Sequence, residues 1–209
     1  MLRHHSREIA KAHDVRWIGY LSTVGVYGDF GGAWVDEDTP PKPGSERTVR
    51  RLAAETAWRD FGANHDRAVR IFRLAGIYGP GRSAIDDLFA GTARRIVKPG
   101  QVFNRIHVED IAAVLETAAA NGGAHAVYNV TDNEPAPPQD VVAYAARLIG
   151  QDPPPETPFE TAALSPMGFS FYSENRRVRN ARLRDDLGVD LTYPSYREGL
   201  AAILAGRTA

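Results

Sequence analysis

The pattern of apolar and polar positions divides the chain into two kinds of segment. One kind is a compact apolar run of strand length, found at 17–21 (Trp-Ile-Gly-Tyr-Leu), 69–74 (Val-Arg-Ile-Phe-Arg-Leu) and 127–130 (Val-Tyr-Asn-Val). Such runs, bounded by Gly, Pro and polar clusters, fit strands buried in a parallel sheet. The other kind carries apolar residues at helical spacing. Residues 3–13 read as a polar helix clipped at its start. From Ser45, with Thr48 as a second capping hydroxyl, Leu52, Glu55, Thr56 and Trp58 follow at helical intervals. The spacing predicts further helices over 83–95, from about 110 to 120, over 139–148 and over 196–204. In the third of these Val141, Val142, Tyr144, Ala145 and Leu148 supply the apolar positions. Pro153, Pro154 and Pro155 then form a stiff connector. Beyond it a small lobe is expected from 169–172, the basic stretch 176–180, and 183–187. Strands alternating with helices predict an α/β fold.

In open α/β sheets ligands lie beyond the carboxyl ends of the strands, so those ends carry the candidate chemistry. The first strand runs into Ser22, Thr23 and then Tyr27-Gly28, and the second into Ala75-Gly76-Ile77-Tyr78-Gly79-Pro80-Gly81. Gly25, Gly28 and Gly31 have the spacing of a phosphate-binding turn, but such a turn works where it opens a helix. Pro40, Pro41 and Pro43 follow instead, so these glycines read as a loop. The 209 residues make one domain, or one domain and a small lobe, and a net charge of −1 leaves no electrostatic footprint for nucleic acid or an anionic membrane. No apolar run approaches a membrane span, and the amino end lacks a signal-peptide core. With no cysteine, disulfides and thiolate chemistry are excluded and a cytoplasmic setting is expected. His4, His5 and His13 have no acidic partner at a metal-binding spacing, so no metal is expected.

Ser22-Thr23-x-x-Val26-Tyr27-Gly28 resembles the catalytic strand of extended short-chain dehydrogenase/reductases, the NAD-dependent epimerase/dehydratase group. Three more blocks stand in family order, at 73–81, 105–112 and 128–135. The resemblance implies a partial Rossmann-like parallel sheet flanked by helices, with a small C-terminal α/β substrate lobe. It divides the chain into an incomplete core, 1–150, with part of the lobe interleaved, and the lobe proper, 151–209. In the family a strand like 17–21 follows four others, the first bearing the dinucleotide-binding glycines, so the chain reads as beginning mid-fold. Binding of NAD or NADP by this chain alone is therefore expected to be weak or nil. The 17–21 strand would also present an unpaired apolar edge, which predicts self-association, a partner chain, or a start set too far downstream.

The family places Tyr-x-x-x-Lys on the helix after this strand. With Ala54-Glu55 fixing the register, those positions hold Arg47 and Arg51. Arginine keeps its proton and cannot cycle one, so the usual acid–base step is lost. Thr23 takes the family's Ser/Thr position and, with Tyr27, is the candidate catalytic pair; Tyr27 reads alternatively as a supporting or substrate-wall tyrosine. The resemblance implies cofactor contacts from Leu21, Ser22, Arg51, Leu74, Ala75 and Gly76, and substrate contacts from Arg47, Arg82 and Arg105. Arg73 joins them as a guanidinium suited to phosphate or carboxylate, or to a salt bridge. His107 reads as a structural histidine, and Glu109 or Asp110 as a helix-capping acid. Two function classes follow: an atypical NAD(P)-dependent oxidoreductase acting on a nucleotide sugar or other carbonyl or hydroxyl compound, and a catalytically silent ligand-binding module of the same fold.

Overall fold

The computed structural model describes residues 2–208. Helix α1 (Leu2–Lys11) leads into β1 (Trp17–Thr23), a short 3-10 turn (Val24–Tyr27), β2 (Trp34–Val35) and the long helix α2 (Glu46–His65). Then come β3 (Ala68–Leu74), β4 (Gly76–Tyr78), α3 (Ala84–Phe89), β5 (Arg95–Val97), β6 (Arg105–His107) and α4 (Val108–Asn121). Next are β7 (Val127–Val130), α5 (Pro138–Leu148), β8 (Glu156–Pro158), α6 (Pro166–Tyr172), β9 (Arg177–Val178), α7 (Ala181–Asp185) and α8 (Tyr196–Thr208).

The three apolar runs form one sheet in the order β1-β3-β7, all parallel. Side chains alternate across a strand, so each run is covered on both faces. On one face Ile18, Tyr20, Val69 and Ile71 pack against Trp58 and Phe61 of α2. On the other Phe72, Leu74, Tyr128 and Val130 meet Val114 and Ala118 of α4. Double burial explains why these strands read as continuous apolar runs. Among the described residues no strand pairs with the second edge of β1.

Three two-stranded ladders carry the rest: β4 with β6, β5 with β8, and β2 with β9. The last joins residue pairs far apart in sequence, Trp34 to Arg177 and Val35 to Val178. The loop before β2 is stitched to the same segment: the Phe30 and Gly32 amides both donate to the Asn175 carbonyl at 3.0 Å, and the Asn175 amide donates to Asp29 Oδ1 at 2.8 Å. A further core of Tyr78, Ile85, Val141, Ala145, Tyr196, Leu200 and Ile203 holds α3, α5 and α8 together.

One expectation needs correction. The helix expected over 83–95 stops at Phe89: Gly91 follows with φ 67°, and residues 95–97 leave the helix to pair with β8. A helical run gives way here to a ladder whose partner lies 61 residues on, which periodicity cannot show. Likewise β2 is too short, at two residues, to leave a pattern.

Gly28 has φ 75°, and a Cβ there would lie 1.8 Å from the Lys42 carbonyl oxygen. Gly28→Ala is therefore expected to lower unfolding free energy by at least about 2 kcal/mol, measured by denaturant titration.

Candidate active site

The site is built at the carboxyl ends of β1 and β3. Register places Ser22 beside Arg73, and both side chains face α2, continuing the faces that carry Tyr20 and Ile71. Glu55 of α2 meets them there. The Ser22 hydroxyl donates to Glu55 Oε1 at 2.5 Å, and Arg73 donates to both carboxylate oxygens, its closest bond 2.7 Å. All three are buried. Glu55 lies on the helix stripe that continues through Trp58 to Gly62, where the helix presses on Val69. Ser22 therefore spends its hydroxyl on α2.

Arg73 also stacks over the Tyr27 ring, 4.9 Å from its centroid. The Tyr27 hydroxyl donates to Asn129 Oδ1 at 2.9 Å, and Asn129 in turn donates to the Arg179 carbonyl at 3.0 Å. Tyr27 is fully buried, and that burial pushes its phenol above the ordinary range against the opposing pull of Arg73. Its phenol is thus held within the core by Asn129 and Arg73.

Thr23 ends β1 and caps the 3-10 turn, its Oγ1 accepting from the Gly25 amide at 3.1 Å. The hydroxyl is thereby oriented with its proton uncommitted. Arg47, Arg51 and Glu55 are spaced i, i+4 and so share one stripe of α2. Arg51 donates to the Leu21 carbonyl at 2.8 Å, beside a Leu21 side chain left 42% exposed. Arg47 lies with its guanidinium carbon 5.1 Å from the Phe171 ring centroid, which brings α6 to this end of the site. Just past β3 the Ala75 amide donates to the Val130 carbonyl, and at the start of β4 the Gly76 amide donates to that of Asn104, both at 3.0 Å. Leu74 and Ala75 are buried, and Gly76 is the exposed member of that trio.

The three arginines expected to hold substrate are not brought together. Arg82 sits exposed in the turn after β4. Arg105 lines a separate cavity of about 180 Å³ with Tyr78, Ala84, Val141, Tyr196 and Leu200. It donates to the Phe103 and Ala136 carbonyls at 3.0 and 3.1 Å, and burial presses its pKa down. Only Arg47 adjoins Thr23's end of α2.

Helix α4 starts differently from expectation. His107 is its N-cap, Nδ1 accepting from the Glu109 amide at 3.3 Å, with the ring against Tyr78 and Tyr193. Burial depresses its pKa, which suits a neutral cap. Asp110 instead accepts from the Thr192 and Tyr193 amides, at 2.8 and 3.1 Å, and anchors the segment before α8. Gly25, Gly28 and Gly31 open no helix; Gly28 is pressed against Lys42 and the chain runs on to β2. The strand ends, an oriented hydroxyl and a guanidinium thus lie together here, while these glycines make no pyrophosphate cradle.

Asp132, just past β7, was not foreseen. It is buried, its Oδ2 has no partner, and burial pushes its carboxyl up to about 8. It borders a cavity of about 220 Å³ with Trp34, Asn133, Arg179 and Asn180. Glu55 was noticed only as a register marker, although an acid on the apolar stripe of a helix is itself the sign of a buried partner.

Residues 7–131 match the model of the NAD dependent epimerase/dehydratase family, and the chain belongs to that family. It is 32% identical over 214 residues to a 3-diazoavenalumate denitrifying reductase from a Streptomyces species, covering 94% of this chain and 67% of the relative. A functionally unknown conserved protein from Silicibacter pomeroyi DSS superposes with TM-score 0.91 at 53% identity, over 100% of this chain and 73% of that one. The Pseudomonas aeruginosa RMD structure complexed with NADPH shares the fold, with TM-score 0.70 at 22% identity over 90% of this chain and 65% of that one. The chain spans about two thirds of the length of these proteins.

Removing one member of a buried ion pair strands the other, a loss of about 3–5 kcal/mol. Glu55→Ala is expected to destabilise the fold by that amount in urea titration, and Glu55→Met with Arg73→Met to recover most of it. For Asp132 the folded pKa lies above the unfolded one, so the folded state holds the extra proton between about 4 and 8. Stability should then fall as pH rises through that window. Asp132→Asn should flatten the fall, read from urea midpoints at pH 5.5 and 8.0.

Proposed function

We propose that this chain forms the substrate side of an atypical NAD(P)-dependent reductase, acting on a carbonyl or related group of a nucleotide sugar or another small molecule. The 1–150 core with its interleaved lobe strands and the 151–209 lobe together form the cleft, in a cytoplasmic protein. The observation that carries the reading is Thr23: a hydroxyl held by the Gly25 amide at a parallel-strand end, on the side of α2 that bears Arg51 and Arg47. Two relatives are named as reductases, the 3-diazoavenalumate enzyme and a GDP-6-deoxy-D-mannose reductase of Pseudomonas aeruginosa, which favours the reductive direction.

NAD(P)H, when bound, supplies the hydride. Thr23 donates to the substrate oxygen and fixes its position. Arg47 holds the substrate by its permanent charge and gives up no proton. The proton that completes an alcohol then comes from water, since Tyr27 is sealed inside the core. Leu21, Gly76 and Arg51 border the space for the nicotinamide and its ribose, with Leu74 and Ala75 behind them. An association through the free edge of β1, with a second copy or another chain, belongs to the same proposal.

The replacement of the family's proton-cycling pair favours a second reading, a catalytically silent ligand-binding module. The two are separated by following NADPH oxidation at millimolar cofactor with nucleotide-sugar and carbonyl substrates. Turnover that falls about a hundredfold in Thr23→Val, with an unchanged melting temperature, supports the reductase. Ligand binding with no turnover supports the silent module.

A further inference from the structure

Helix α6 has two unlike faces. Tyr172, buried, and Phe169, still 56% exposed, stand three apart and dock on Phe159, with ring centroids 5.2 and 5.4 Å away, and Tyr172 also meets Phe103 at 5.1 Å. Met167 and Phe171, four apart, lie on another stripe and remain 62% and 49% exposed. Phe171 on that stripe is the residue against Arg47.

Arg47 is an unengaged cation. A guanidinium lying over a ring still presents its N–H donors at its edge. Among the described residues no acid pairs with it: Glu46 pairs with Arg50, and Glu174 with Arg176. Lys98, nearby on the lobe, lies 5.1 Å over Phe159 and donates to the Tyr172 carbonyl. Exposed apolar side chains of α6 and a planar cation thus adjoin at the surface, at the amino end of the α2 stripe that carries Arg51.

We propose that this surface selects a planar aromatic carboxylate, its ring against Phe171 and Met167 and its carboxylate on the Arg47 guanidinium. The inference rests on the cleft reading above and makes Arg47 a specificity-determining anchor. A nucleoside diphosphate sugar fits less well. It would bring two charged phosphates to a surface whose other groups are a phenyl ring and a thioether, and the next guanidinium on the stripe, Arg51, is bonded to the Leu21 carbonyl.

The test is calorimetric titration of the full chain, without cofactor, with 2-naphthoate, its neutral counterpart 2-naphthylmethanol, and UDP-glucose. The naphthoate is expected to bind at least about tenfold more tightly than the alcohol, as a charge-assisted bond implies. Arg47→Met should abolish that difference while leaving the alcohol unchanged. Phe171→Ala should weaken both aromatic probes, and Arg47→Lys should restore part of the preference. Both residues are at the surface, so melting temperatures should not move. Naphthoate affinity indifferent to Arg47→Met, no naphthoate binding, or tighter Arg47-dependent binding of UDP-glucose would each overturn the proposal. Because cofactor is absent, failure of NADPH turnover would defeat the reductase reading and leave this result standing.

Discussion

The Glu55 carboxylate, clamped between the Arg73 guanidinium and the Ser22 hydroxyl, fixes the site. An isolated charge in a protein interior is untenable, so these groups can be buried only together. Their partnership dictates where α2 lies on the sheet and how far β1 has slid along β3. Thr23 and the Arg47–Arg51 stripe inherit their positions from it. Arg73 passes the constraint on to Tyr27 by lying over its ring, and Tyr27 passes it to Asn129 and the backbone of β9's neighbour Arg179. Sheet, helix and lobe are thus tied through one polar chain within an apolar core.

That arrangement changes how the cleft is viewed. Hydroxyls and phenols gathered near a strand end resemble catalytic equipment, yet Ser22 and Tyr27 are occupied with holding the scaffold. What remains facing outward is sparse: an oriented threonine, two arginines, an exposed leucine and a helix with spare aromatic surface. On the proposed reading, the chemistry is positioning and charge stabilisation rather than proton exchange by a side chain.

Much of this was legible in the residue order. The three doubly buried strands announced themselves as apolar runs, and their flanking helices by spacing, because burial on both faces leaves a local signature. Family blocks placed Thr23, Arg47 and Arg51 correctly with respect to α2 and β1. What stayed hidden depends on distant partners. The pairings of 95–97 with 156–158 and of 34–35 with 177–178 join segments too short to carry a period. The fate of Arg105 turned on which way a three-residue strand faces, and alternation without a known register cannot decide that. Asp110 looked like a cap from its place in the helix, but the amides it serves arrive from more than 80 residues away.

The stitching of the loop at 28–35 to Asn175 and β9 has a consequence for the order in which the molecule forms. The loop must wait, uncommitted, until a stretch some 140 residues further on has left the ribosome. Local helices such as α2 can settle while synthesis continues, but this closure spans some 140 residues and is entropically slow. A nascent chain stalled before 175 would therefore carry a sheet with its glycine loop adrift and Val35 uncovered, the kind of species that chaperones and proteases recognise.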